Sequence, residues 1–169
     1  MPEMAILTLI QVVAQDLGLE PELLQAVVQV ESGYDPGCIS NLDYGLMQVN
    51  LGTLRAMPEP WRSLEPRELL KPQVGLDAGG RILRWYLVLA LRDEMQVAVR
   101  SQDVQDMLLR LSPMDRQAVI SRALAYYNGG EHVGRDETGR WANQDYVDAV
   151  LAEYDRLLRG EADGSGREQ

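Results

Sequence analysis

The stretch from Lys71 to Asp93, KPQVGLDAGGRILRWYLVLALRD, constrains this chain more than any other. From Ile82 to Leu91 it is apolar on nearly all sides of a helix, and a helix without a polar face has to be surrounded by protein. It predicts the central buried helix of an α-domain. Gly75, Gly79 and Gly80 lower its intrinsic helicity, so glycine here marks close packing against a neighbour. Helical spacing dominates the rest of the chain as well, and no strand-like alternation survives past four residues.

The other elements follow from punctuation. A first helix spans 3–17 and stops at Gly18. A second has Pro21 in its first turn, carries Leu23, Leu24, Val27, Val28 and Val30, and ends at Ser32-Gly33. Residues 34–44 read as a loop rich in Gly, Asp, Asn and Pro. A short helix covers 50–57 with Asn50 as its N-cap, and PEPWRSLEP (58–66) is a connection. Helices at 102–111 and 115–127 are separated by Ser112-Pro113, NGGEHVGRDETGR (128–140) is a polar loop, and 144–158 is a last amphipathic helix. Residues 160–169 read as a disordered polar tail. The expectation is one all-α domain over 1–159, long enough to bury a real core.

Charge narrows the partners. The formal net charge is -10 and the pI about 4.5, which argues against nucleic acid, whose phosphates are neutralised by Lys and Arg. An anionic polymer would have to be gripped by a local cleft and not by the overall field. Of the 16 basic residues only Lys71 is a lysine, a bias given no functional weight. One cysteine, Cys38, allows no internal disulfide. One histidine, His132, excludes a multi-His metal site, and no metal or cofactor is expected; His132 itself reads as a solvated loop residue. The run from Met4 to Ile10 lacks a basic flank and a small-residue cleavage site, so it reads as a core helix and not an export signal. No run reaches the ~18 apolar residues of a membrane span. The expectation is a monomer made in the cytoplasm.

Three places could carry chemistry. Glu31 lies seven, four and three residues after Leu24, Val27 and Val28, on the core-facing stripe of its helix. Partial burial and the negative end of the helix dipole both raise a carboxyl pKa, the condition a general acid needs near neutrality. Spacing alone leaves a surface glutamate at a frayed helix end as the commoner case. DYGLMQVN (43–50) pairs an adaptable Met47 with the Gln48 amide, which suits a sugar, although chemistry alone favours a plain loop-to-helix transition with Met in the core. ALAYYNGG (123–130) places two aromatics and Asn128 at a glycine-terminated helix end, for which a core aromatic pair with a glycine cap is the commoner case.

Taken in order, these elements resemble the lytic transglycosylases of the soluble-type, goose-lysozyme-like family. The resemblance rests on Glu31-Ser32, Ser40, Gly45-Leu46-Met47-Gln48, Tyr127-Asn128-Gly129-Gly130 and Tyr146-Val147, and covers roughly 20–155. It is similar to the small single-domain members that serve phages, conjugation machines and secretion systems. It implies a lysozyme-like fold and peptidoglycan glycan strands as substrate. Glu31 would be the sole catalytic acid/base, Ser40, Gln48 and Asn128 would bond the sugar, Met47 and Tyr127 would shape the cleft, and Tyr146 would hydrogen-bond Glu31. Together with the missing export signal it implies a phage lysin released through a pore, or a particle-borne enzyme.

The chain departs from that pattern in places. Tyr126 stands where the pattern has Ala, which predicts a larger side chain beside the cleft. Residues 92–114 exceed what small members need and predict an added helix over the site. Asp43, twelve residues after Glu31, could position a water and turn the enzyme into a muramidase, with Asp35 a weaker candidate. Most glycosidases use two carboxylates, so a single well-placed Glu31 implies substrate assistance, while the Asp43 alternative stays open. So does a virion or secretion-assembly role on the same fold, in which binding dominates over cleavage.

Overall fold

The computed structural model describes residues 3–161. Eight α-helices carry it among those residues: α1 (Glu3–Leu17), α2 (Pro21–Ser32), α3 (Leu51–Ala56), α4 (Pro66–Leu69), α5 (Pro72–Met95), α6 (Val104–Arg110), α7 (Pro113–Gly129) and α8 (Gln144–Leu158). The long apolar stretch is α5. It packs against α7 and α1, while α2 packs against α8. The core is continuous through these helices, and Leu24, Val27, Val28, Leu83, Leu87 and Leu124 are fully buried. Each such side chain contributes about 1.5–3 kcal/mol of transfer free energy. No described helix is long and apolar enough to cross a membrane. The tail expected at 160–169 falls from residue 162 onward outside the described residues.

The α5 glycines are contact points. A Cβ on Gly79 would lie 2.6 Å from the Met47 Cβ, and one on Gly80 2.7 Å from Leu17 Cδ1. Real carbons do not approach so closely, so glycine lets α5 touch α1 and the segment before α3. Gly45 is required twice over: its φ is +77°, and a Cβ there would collide with the Leu69 carbonyl.

The expected loop at 34–44 is partly ordered. Three two-residue strands, β1 (Ile39–Ser40), β2 (Asp43–Tyr44) and β3 (Val49–Asn50), form an antiparallel sheet in the order β1-β2-β3. Asp43 faces Asn50, and Tyr44 faces both Ile39 and Val49. Asn50 then caps α3, its Oδ1 accepting from the Gly52 and Thr53 amides. Residues 92–114 do contain an extra helix, α6, but it packs on α5 and its Gln105 lies near Gly18, at the α1–α2 turn. The expectation of a helix over the site is corrected accordingly, since none of these residues lines the Glu31 groove.

Candidate active site

α2 delivers Glu31 as its penultimate residue, half-buried, one turn beyond the fully buried Val27 and Val28. Gly33 closes the helix in the left-handed region, φ +57°, with its amide donating to the Gln29 carbonyl. Ser32 turns the helix end into an anchor. Its Oγ donates to the Leu46 carbonyl at 2.9 Å and contacts the Val28 carbonyl at 3.2 Å. The β-sheet segment is thereby fixed relative to Glu31.

Glu31 opens into a groove of about 450 Å³ lined by Ser40, Asp43, Gln48, Asn50, Tyr127 and Asn128, with Thr53, Ile82 and Gly129-Gly130 completing its walls. The Tyr146 hydroxyl, from the first turn of α8, donates to Glu31 Oε1 at 2.7 Å. Burial raises the Glu31 pKa from 4.5 to about 7; the Tyr146 bond opposes that shift, and the nearby Asp43 charge adds to it. The pair of opposing effects leaves a carboxyl that is half protonated near neutral pH. Burial also pushes the Tyr146 and Tyr127 phenols well above their usual value, so both are neutral donors.

The other sequence-derived candidates divide. Gln48 lines the groove, but both its amide hydrogens are committed to the Cys38 and Gly45 carbonyls at 3.0 Å. Its Oε1 accepts from Ser40 at 2.7 Å, and its φ is +43°, uncommon for a side-chain-bearing residue. Gln48 therefore braces the open end of the β1–β2 hairpin and the turn into β3, and presents Ser40. Asn128 has its Oδ1 fixed by the Asn143 amide at 3.0 Å, which in turn also donates to the Ala125 carbonyl. That leaves the Asn128 amide nitrogen directed by its neighbour. Asp43 accepts from Asn50 Nδ2 at 2.7 Å, a second carboxylate in the same groove.

Two expectations need correction. Met47 is fully buried and lies against Gly79, outside the groove lining. It contributes through its backbone, because its carbonyl accepts the Tyr127 hydroxyl at 2.8 Å. Tyr126 points away from the groove: its hydroxyl donates to Asp93 Oδ2 at 2.6 Å and its ring meets Trp141 edge-on. Asp35 caps its own turn, accepting from the Gly37 amide, and His132 is exposed. Sequence reasoning missed Asn143 and the second task of Asn50. Asn50 carried a signal as a helix cap, whereas Asn143 carried none. Among the described residues no three His, Cys, Asp or Glu side chains gather as metal ligands.

The family model described as the transglycosylase SLT domain matches residues 8–147. No curated protein matches the chain.

Proposed function

The chain belongs to the transglycosylase SLT domain family, and from that premise we propose that it cleaves the β-1,4 bond between N-acetylmuramic acid and N-acetylglucosamine with Glu31 as sole acid/base. The carrying observation is that Glu31, alone among the groove residues, is both half-buried with a pKa of about 7 and held by a tyrosine hydroxyl. The protonated Glu31 gives its proton to the glycosidic oxygen as the C1–O bond breaks, and the muramyl acetamido group supports the oxocarbenium-like centre. The carboxylate so formed takes the proton from the muramyl 6-hydroxyl, whose oxygen closes onto C1. A 1,6-anhydro ring results, no water is consumed, and Glu31 is protonated again. Ser40 and the Asn128 amide supply sugar hydrogen bonds, Tyr127 forms a wall, and Tyr146 fixes the Glu31 rotamer. By its likeness to small single-domain members, the enzyme serves a phage as lysin or particle-borne wall enzyme, and the genes beside its own test that part.

A second reading has one observation in its favour: Asp43 lies in the groove with Glu31, raises its pKa, and is held by Asn50. A carboxylate so placed could activate water and give a reducing-end product. Digesting purified peptidoglycan and weighing the muropeptides separates the two. Anhydro-muramic products, lighter by one water, support the transglycosylase; reducing ends alone assign the muramidase.

A further inference from the structure

Asn143 stands at the N-cap of α8, yet its side chain makes no cap bond to that helix. It turns back to α7 instead. Its Nδ2 donates to the Ala125 carbonyl at 3.0 Å and to Asn128 Oδ1 at 3.0 Å. Both amide hydrogens are thereby spent, while its Oδ1 is buried and meets no donor among the described residues. An asparagine kept for capping alone would use that oxygen on an amide of α8. Gly129 leaves room for the approach, since a Cβ there would lie 3.1 Å from Asn143 Nδ2 and 2.9 Å from Val133 Cγ2. The backbone on either side is held as well. The Ala142 amide donates to the Gly134 carbonyl and the Trp141 amide to Gln144 Oε1, both at 3.0 Å, and the buried Trp141 ring carries the Arg135 guanidinium at 4.0 Å.

Donors and acceptors in this relay can be ordered in one way only. A backbone carbonyl accepts and never donates, so the Ala125 oxygen requires the nitrogen of the Asn143 amide. That same nitrogen faces Asn128, which must answer with its oxygen. What Asn128 has left for the groove it lines is its own amide nitrogen. We propose that Asn143 is a positioning residue that fixes Asn128 as a donor, so that the groove takes an acceptor oxygen of the glycan at that point, an inference that rests on the glycan-cleaving reading. Ser40 supplies the opposite polarity, because its hydroxyl hydrogen goes to Gln48 Oε1 and its lone pairs remain. An asparagine free to turn would offer either end to the sugar and would have to be ordered as the glycan arrives. The Asn143 carbonyl also accepts the Tyr146 amide at 3.1 Å, which begins the turn that brings Tyr146 to Glu31. A role through Asn128 and a role through Tyr146 have different kinetic signatures.

The test uses the full chain and soluble glycan strands freed of cross-links. Asn143→Ala, checked for folding by its melting curve, should raise KM about 3- to 10-fold, the effect of one neutral hydrogen bond, with kcat nearly unchanged. In an Asn128→Ala background the same substitution should raise KM no further, because the group it directs is gone. The alkaline limb of the rate profile should stay where Glu31 sets it. Equal penalties in the two backgrounds overturn the proposal, and so does a displaced limb, which would route the effect through Tyr146. A second measurement needs no variant. By NMR of the isotope-labelled unaltered protein, the side-chain amide hydrogens of Asn143 should exchange with water about tenfold or more slowly than those of Asn128; equal rates overturn the proposal. Strand cleavage by the unaltered protein together with any of these contrary results removes the positioning role alone. Slow Asn143 exchange without cleavage of the strands removes the glycan-cleaving reading, and with it the glycan as partner of this donor, but not the relay.

Discussion

Tyr146 reaches across the molecule from α8 to donate to Glu31 Oε1 at 2.7 Å, joining residues 115 positions apart in sequence. This bond favours the carboxylate form, against the burial that favours the acid. The pH at which Glu31 titrates is the difference between those two effects, so each can be altered separately.

Tyr146→Phe removes the opposing effect. The Glu31 pKa should rise beyond about 7, and the alkaline limb of the rate profile, which reports loss of the protonated acid, should move to higher pH. The maximal rate should fall by about 10-fold or more, because the carboxyl rotamer loses its anchor. Wall-turbidity rates from pH 5 to 9 provide the measurement; a limb displaced toward lower pH would falsify the assignment.

Glu31 costs the fold stability, with a definite sign. Its pKa is about 7 in the folded protein against 4.5 ordinarily, so between those values the folded chain holds a proton the unfolded chain has released. Stability therefore drops as pH rises through that window and levels off above it, by about 3 kcal/mol in total. Glu31→Gln should abolish cleavage, a loss of about 10³-fold or more. It should also be more stable than the unaltered protein at pH 8, while matching it near pH 4. Urea melts at the two pH values decide this, and equal gains at both would remove burial as the source of the shift.

Asp43→Asn tests the alternative chemistry. Removing a like charge should lower the Glu31 pKa and shift the alkaline limb to lower pH, the reverse of the Tyr146 substitution. Anhydro products should persist with at most a several-fold change in rate. Collapse of the rate by about 10²-fold or more, with reducing ends as the unaltered protein's products, makes Asp43 the water-activating base.

Gly79→Ala probes the support behind the groove. The added methyl meets the Met47 Cβ at 2.6 Å, and overpacking of this kind costs about 1–3 kcal/mol, offset in part by the better helix propensity of alanine. A chain of this size should lose several degrees of melting temperature. Activity should fall as well, because the Met47 carbonyl that receives the Tyr127 hydroxyl moves with its side chain. A melting temperature at or above that of the unaltered protein counts against the close approach.

The helices were legible because apolar spacing reports burial directly. α1 and α8 begin and end where that spacing does, and Glu31 lies on the stripe its position implied. The three-stranded sheet was not legible, since two-residue strands have no period to detect and are held by turns and by Gln48. Met47 was placed in the cleft by the resemblance alone, whereas the chemistry of its segment favoured the core, where Gly79, 32 residues later, makes room for it.

The tie from α8 to α2 also has a meaning in time. Ribosomes make the Glu31 end of the chain long before the Tyr146 end. A nascent chain that has produced α1 to α7 and Gly130 holds every groove-lining residue, yet Glu31 still lacks the hydroxyl it accepts from. If Glu31 is the acid, as proposed, full cutting power arrives only with the final helix, and a copy clipped before it keeps a groove whose carboxyl nothing aims.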